Sequence, residues 1–244
     1  MANPMPDQFT ATALSDLTRK SDRGSHDKSD VYAILDAALV CHIAYTVDGQ
    51  PFATPTLFWR NGDTLYWHGS SHGRMISCHA QGQRVCLTVT HLDALNLGRS
   101  GIASSVQYRS AMVFGTTRAI TEPDQKRIHM AQLIDRKFPG RSADQRAIHD
   151  HEINGITVIE MPIEEAAAKV KSGGVVERTE ADYDIPVWAG VIPIAQTVGV
   201  AEPDPRLSSD IEMPSNVAAY GTNRRLDEVL SHCADQRRAV PPAR

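Results

Sequence analysis

The sequence predicts a mainly β protein with flanking helices, built around a six-stranded antiparallel β-barrel. Asp48-Gly49 and Asn61-Gly62 separate runs rich in Thr, Val, Tyr, Phe and Trp, which is the strongest short-range signal for β-hairpins. Further alternating segments at 84–90, 106–117 and 155–163 complete the set of strands. Because closure of an antiparallel sheet removes the unpaired edge strands that promote aggregation, we expect a closed or nearly closed barrel.

Helical patterns flank these strands at 30–40, 123–138 and 164–170. In the first, Asp30 can act as an N-cap and the alanines favour helix. In the second, apolar residues recur at helical spacing until Pro139-Gly140 ends the pattern. The third segment is also rich in alanine, so the sequence predicts a helix there.

Composition and charge limit the class of protein. The chain has 244 residues, 41% of them hydrophobic and 22% charged, which is ordinary for a globular protein. Neither a spanning apolar stretch nor a signal-peptide pattern is present, so we expect a cytoplasmic protein without a membrane role. A formal charge of -4 without a nucleic-acid motif predicts no nucleic-acid partner. Three regions are expected: a polar N-terminal arm (1–29), the barrel domain (30–196) and a proline-rich C-terminal tail with a short helix (197–244).

The segment 66–75 carries the clearest chemical signal. Gly69 lets backbone N–H groups approach a ligand, and Ser70 and Ser71 supply hydroxyls. Arg74 supplies a guanidinium that can donate two parallel hydrogen bonds. These are the groups that a phosphate monoester requires, and a helix beginning near Arg74 would add its N-terminal dipole. Taken alone, the segment fits a surface turn with a solvated arginine better, so the phosphate hypothesis needs support from elsewhere.

The ten histidines raise the question of a metal site. The densest cluster of possible ligands is His149-Asp150-His151-Glu152. Adjacent residues diverge on a helix and face opposite ways on a strand, so this run does not converge on one ion by itself. We therefore interpret it as a solvated helix end and predict no metal site.

Several segments support the phosphate hypothesis by their order along the chain. They are YAILDAALVCHIAYTVDGQPFATPTLFWRNGDTLYWHGSSHGRM, RVCLTVTHLDALNLGRS, YRSAMVFG and PVWAGVIPI, and they extend from about Val31 to Asp204. In this order they resemble the pyridoxamine-phosphate-oxidase-like flavin-nucleotide-binding proteins, a group that includes the 5-nitroimidazole-resistance reductases. The resemblance implies an FMN-binding split barrel that works as a homodimer, with flavin sites at the interface.

The resemblance also implies which residues contact FMN. The strand containing Thr54 would pass the flavin ring, the loop at Ser70 would hold the phosphate, and Trp188 would cover the flavin from the other subunit. The complete set implied is Thr54, Thr56, Leu57, His68, Gly69, Ser70, Ser71, Arg74, Met75, Tyr108, Arg109, Ser110 and Trp188. Two departures from the family pattern matter. Lys171-Ser172-Gly173-Gly174 replaces an arginine-threonine-glycine-proline turn, and no arginine follows Trp188, so vitamin B6 oxidation is not the expected reaction.

His68 is the candidate catalytic residue, because it ends a strand just before the phosphate loop and an imidazole there could donate a proton to a reduced substrate. A structural histidine is an equally good interpretation. The leading functional hypothesis is an oxidoreductase that passes electrons from a reduced nicotinamide through FMN to a small-molecule acceptor. The alternatives are a non-catalytic flavin-binding or sensor protein, and a split barrel that binds heme or a deazaflavin.

Overall fold

The computed structural model describes residues 7–18 and 21–239, and it confirms a mainly β, antiparallel fold with a few helices. Residues 1–6 and 19–20 of the expected arm, and 240–244 of the expected tail, lie outside the described residues. The strands are β1 (Gly24–Ser25), β2 (Val40–Val47), β3 (Gln50–Asn61), β4 (Thr64–Ser70), β5 (Arg84–Leu97), β6 (Ser105–Thr116), β7 (Arg118–Ile120), β8 (Ile156–Pro162), β9 (Glu165–Lys171) and β10 (Gly190–Pro193). The α-helices are α1 (Lys28–Asp36), α2 (Arg74–His79), α3 (Pro123–Lys137), α4 (Asp150–Asn154), α5 (Ser215–Ala218) and α6 (Leu226–Ala239).

The described residues form ten strands, whereas the sequence predicted six. β1, β7 and β10 are only two to four residues long, too short for alternation to reveal them. The fourth additional strand, β9, corrects the predicted helix at 164–170. Ala166 and Ala168 are buried, and β9 pairs with both β6 and β1, so sheet pairing overrides the helical propensity of alanine here.

The chain divides into two compact units. The first comprises Met1–Leu35, Leu87–Phe114 and Glu164–Ala195, as far as these residues are described. Its strands are ordered β1-β9-β6-β5, and β10 pairs with β5. The N-terminal segment packs onto this unit, because Thr12 and Ser15 both donate hydrogen bonds to the buried carboxylate of Glu165. Part of the polar arm is therefore attached to the sheet.

The second unit comprises Asp36–Cys86, Gly115–Ile163 and Gln196–Arg244, again as far as described. Its strands are ordered β2-β3-β4-β8-β7, and every pairing is antiparallel. Gly115 is required here, since an added Cβ would lie 2.2 Å from the carbonyl oxygen of Pro162. Helix α3 covers one face of this sheet, where Leu133 packs into a buried cluster with Trp59 and Tyr66.

The C-terminal segment is fastened to the end of α3. Tyr220 donates its hydroxyl to the carbonyl of Lys137 at 2.9 Å, and Asn216 donates to the carbonyl of Pro139 at 3.2 Å. The Sγ atom of Cys233, on α6, also contacts the Lys137 carbonyl. The expected short helix exists and is longer than predicted, because it packs along α3. No helix among the described residues is both long and apolar enough to cross a membrane.

Candidate functional site

The predicted phosphate loop lies between the end of β4 and the start of α2. Ser71 is held in place by its backbone N–H, which donates to Gly155, and by its hydroxyl, which lies 2.9 Å from the hydroxyl of Thr157. The hydroxyl of Ser70 is exposed and accepts a long hydrogen bond from the backbone of His72. The loop therefore presents one exposed, weakly bonded hydroxyl, that of Ser70, and one fixed hydroxyl, that of Ser71, next to the helix that begins at Arg74.

Gly69 has a reason other than ligand approach for lacking a side chain. An added Cβ would come within 2.9 Å of Ile76 on α2, so the packing of α2 against β4 already requires glycine there. Met75 follows Arg74 in the first turn of α2 and is half-buried.

Arg74 is an exposed cation, and no described residue forms a carboxylate ion pair with it. Its guanidinium instead lies over the ring of Phe52, 4.6 Å from the centroid. Phe52 shares a face of β3 with Thr54 and Thr56, because side chains alternate along a strand. The structure thus brings the guanidinium of Arg74 to the same face of the sheet as Thr54 and Thr56, the two threonines predicted to contact the flavin.

His68 and Leu57 lie on the opposite face. The Phe52 face also contains Trp67 and Tyr45, both of which contact the ring of His79. His68, adjacent to Trp67 on β4, points the other way and lies 6.5 Å from Trp59 under α3. Leu57 packs against the same buried cluster as Trp59. The strand register therefore places His68 on the face of the sheet opposite to the one on which the guanidinium of Arg74 lies.

A cavity of about 580 Å³ opens beside His68. Its apolar lining consists of Met130, Ile148 and Ile156. Its polar lining consists of His68, Arg141, Asp144, Gln145, Arg146 and Glu152. The volume is within the range of small-molecule sites. A second cavity, of about 370 Å³, shares several of these residues, so the two adjoin around 145–148.

The imidazole of His68 lines this cavity and favours its neutral form. Burial, and then the nearby charge of Lys137, lower the pKa of His68, which keeps the ring in its neutral, ligand form near neutral pH. Its Nδ1 atom is buried and has no hydrogen-bond partner. Both ring nitrogens of buried His79 also lack partners among the described residues, so the case for a ligand at His68 depends on its place in the lining of the cavity.

The segment 141–149, which we call the cover segment, forms one wall of the cavity and is clamped at both ends. Ser142 donates its backbone N–H and its hydroxyl to Asp135 on α3, at 2.8 and 2.7 Å. At the other end, Arg127 of α3 bonds to Asp150 and to the carbonyl oxygen of Ile148. Helix α3 therefore holds the wall that faces His68.

The remaining predicted residues lie in the first unit. Tyr108, Arg109 and Ser110 are consecutive on β6, and Arg109 binds both carboxylate oxygens of Asp93 at 2.8 to 3.2 Å. Trp188, just before β10, is 66% exposed. The expected set of cofactor residues is thus divided between the two units.

The sequence did not reveal the lining of the cavity. Met130, Ile148 and Ile156 are ordinary apolar residues, and only the folded chain places them beside His68. Arg141 and Arg146 offered a weak signal, as two arginines in a polar stretch after a helix. The His149–Glu152 run lies where expected, at the start of α4, and no group of three metal-ligating His, Cys, Asp or Glu side chains is found among the described residues.

Comparisons with known proteins support a flavin-related family. The chain is 38% identical to the flavocytochrome Anf3 from Azotobacter vinelandii, with a TM-score of 0.80 over 84% of this chain and 95% of that one. It is 30% identical to an FAD and heme binding protein from Mycobacterium smegmatis, with a TM-score of 0.78 over 84% and 98% of the two chains. A candidate 5-nitroimidazole antibiotic resistance protein from Bacteroides thetaiotaomicron is 26% identical, with a TM-score of 0.51 over 60% and 86%. No curated protein matches the chain.

A family model described as pyridoxamine 5'-phosphate oxidase matches residues 27–170, more than half of the chain. This range includes the phosphate loop, His68 and the cover segment. The chain belongs to the pyridoxamine 5'-phosphate oxidase-like family of split-barrel flavin-binding proteins.

Proposed function

We propose that this protein binds a flavin nucleotide and a heme, and that it is an oxidoreductase passing electrons from a reduced nicotinamide to a small acceptor. The strands would form the family's split barrel. One observation carries the proposal: His68 on β4 and the guanidinium of Arg74, which begins α2, lie on opposite faces of the sheet, so the two can serve two different groups. The relatives named as a flavocytochrome and as an FAD and heme binding protein support the pairing.

The absorption spectrum of the purified protein tests this proposal. We expect flavin maxima together with a Soret band, and chromatography of the released pigment should return a flavin with a phosphate. FMN was expected from the sequence, and the Mycobacterium smegmatis relative is named for FAD. FMN carries its phosphate as the monoester that the loop is suited to bind, whereas FAD carries its phosphate within a diphosphate. A colourless protein that takes up neither pigment would refute the proposal.

The flavin nucleotide and the heme would divide the chemistry. Bound flavin accepts a hydride and releases single electrons, and heme iron carries one electron at a time. The protein's own residues hold these groups. The Ser70 hydroxyl and Arg74 would bind the phosphate, while Thr54 and Thr56 would line the ring site on the same face. His68 would bind the iron, and its neutral ring at neutral pH suits that role better than proton donation.

Replacing Arg74 with alanine should weaken flavin-nucleotide binding. Arg74 has no carboxylate partner among the described residues, so its full charge is available to a phosphate. Loss of a charge-assisted contact of about 1.5–3 kcal/mol corresponds to a roughly 10- to 100-fold higher Kd. Titration followed by flavin fluorescence measures this change, with the exposed Arg206→Ala as the matched control. Riboflavin, which lacks the phosphate, should bind parent and variant alike; an equal loss for riboflavin would remove the phosphate assignment.

Replacing His68 with alanine should remove the iron ligand and leave the flavin site intact. We expect hemin titrations to show at least about tenfold weaker binding and loss of the Soret band of histidine-ligated heme. Added imidazole should restore the band, because it can replace the missing ring in the cavity. His72→Ala, in the exposed loop, is the control. An unchanged Soret band in His68→Ala would assign the iron to another residue.

We also propose that the protein is a homodimer whose flavin sites need both chains. The first unit exposes several large apolar side chains, including Trp188, Val187 and Ile102, which a partner would cover. A second copy of this chain is the partner that the resemblance implies, with Trp188 reaching the flavin of its neighbour. Light scattering should return twice the chain mass at micromolar concentration, and a monomer there would contradict the proposal.

A further inference from the structure

We propose that Arg141 recognises a carboxylate of the porphyrin that enters the His68 cavity, so that this site selects a porphyrin with free carboxylates. The inference rests on the proposed heme function and extends it to a specificity-determining residue. Two arginines line the cavity, and their surroundings differ in a way that assigns the role to one of them.

Arg146 already has a full set of partners. Its two terminal nitrogens bind both oxygens of Glu152, at 2.6 and 2.8 Å, and one of them also donates to the carbonyl of Ala147. Glu152 additionally accepts the backbone N–H of His149 at the start of α4. The bidentate contact with Arg146, followed by that backbone contact, lowers the pKa of Glu152 to about 2. Arg146 is therefore committed to the internal structure of the cover segment.

Arg141 is held much more loosely. Its ion pair with Asp144 is long, 3.5 Å, and involves one nitrogen of a partly exposed side chain and an exposed carboxylate one turn away. Exposed pairs of this kind are worth little, about 0–1 kcal/mol, so a ligand carboxylate can compete for the guanidinium. Most of its five N–H donors have no acceptor within the described residues.

The backbone beside Arg141 is nevertheless fixed. Ser142 is bound twice by Asp135, and the backbone N–H of Arg141 donates to the carbonyl of Phe138 at 2.9 Å. The fixed backbone keeps the guanidinium of Arg141 beside the cavity, and the loose ion pair leaves its charge available to a ligand. Asp144 and Glu152 also line the cavity, and each is paired with one of the two arginines, so the pair that a ligand carboxylate can displace is the weak one between Arg141 and Asp144. Together with the apolar lining at Met130, Ile148 and Ile156, Arg141 suits a planar apolar ligand that carries an anionic group.

The test compares metal-free protoporphyrin IX with its dimethyl ester, in which the carboxylates are masked. Neither contains iron, so binding does not depend on ligation by His68. We titrate the full chain, freed of bound pigment, and follow porphyrin fluorescence. Arg141→Ala should bind protoporphyrin IX roughly tenfold more weakly than the parent does. The variant and the parent should bind the dimethyl ester with about equal affinity. Arg141→Lys should retain part of the preference for the free acid. Arg146→Ala, with an unchanged circular dichroism spectrum, should show a smaller preference change than Arg141→Ala.

Two results would overturn the assignment of Arg141. One is an equal loss of both porphyrins in Arg141→Ala, which would mean that its side chain only packs against the ligand. The other is an unchanged affinity in Arg141→Ala with a carboxylate-dependent loss in Arg146→Ala. If the parent binds hemin and either result appears, the heme proposal stands and the Arg141 inference alone fails. If the parent binds no porphyrin, with or without iron, both fail.

Discussion

Replacing Asp36 with asparagine should lower the free energy of unfolding by about 3–5 kcal/mol. Asp36 ends α1 and is buried, as are Arg60 on β3 and Arg136 on α3. Its carboxylate accepts hydrogen bonds from both guanidinium groups, including one of 3.1 Å from Nε of Arg60. Asparagine keeps the shape of the side chain and removes the negative charge.

The expected cost arises because two buried cations, Arg60 and Arg136, would then lose the carboxylate that both of them contact. Burial lowers the pKa of Arg136, the carboxylate of Asp36 offsets this, and the charge of Arg60 adds to the lowering. Arg136 also donates to the carbonyls of Asp36 and of Leu230 on α6, so it joins three segments of the second unit. Removal of the Asp36 carboxylate should therefore loosen the contacts that α3 makes with Asp36 and with α6.

Urea unfolding of the full chain measures the change. The matched control is Asp144→Asn, which breaks an exposed ion pair with Arg141 and should change stability by less than about 0.5 kcal/mol. A combined replacement of Asp36, Arg60 and Arg136 by apolar residues should recover much of the loss, since no charge remains buried. A loss below about 1 kcal/mol in Asp36→Asn would show that water reaches this cluster.

This cluster illustrates what the sequence could and could not reveal. Local signals were sufficient for the hairpins: Asp48, Gly49 and Gly62 adopt the positive φ values, 48°, 80° and 57°, that their turns require. They also placed helix α3 within one residue of its observed end and the loop before α2 where it lies. These features depend on residues close together in the chain.

Features that depend on distant residues could not be predicted. Asp36 and Arg136 are 100 positions apart, and nothing local in either segment indicates that they meet. β9 has a helical composition and becomes a strand because two neighbours offer it hydrogen bonds. The face on which His68 lies follows from the pairing of β4 with β3, which places it near Trp59 and under α3. The sequence could therefore place His68 near the predicted phosphate loop. It could not show the cavity beside His68, because the lining comes from distant segments.

Lowering the pH from about 6.5 to 4 should destabilise the protein through His79, and His79→Leu should remove that part of the effect. His79 is fully buried, and both ring nitrogens lack hydrogen-bond partners within the described residues. Its ring lies edge-on to Tyr45 and Trp67, at 4.9 and 5.4 Å between centroids. Burial in this aromatic setting lowers its pKa from 6.5 to about 4, because the charged ring would lose its hydration without gaining a partner.

The direction of the effect follows from proton binding. Above pH 6.5 the ring is neutral in both states, and its contribution to stability is complete. Between pH 6.5 and about 4 the unfolded chain binds a proton that the folded chain does not, so stability falls by about 1.4 kcal/mol per pH unit, roughly 3 kcal/mol in all. Below pH 4 the folded ring is protonated as well, and this group causes no further loss.

Urea unfolding of parent and His79→Leu at pH 7.5, 6, 5 and 4 isolates the contribution of His79. Burial also lowers the pKa values of His68 and His129, so the quantity to compare is the difference between the two proteins at each pH. At pH 7.5 the two should differ by about 1 kcal/mol or less, because leucine loses the aromatic edge contacts and also removes two unsatisfied nitrogens. At pH 4 the variant should be the more stable by about 2–3 kcal/mol. His72→Leu, at an exposed position, should keep the pH dependence of the parent. A constant difference across the pH range would mean that His79 titrates normally and that its nitrogens reach water in the folded protein.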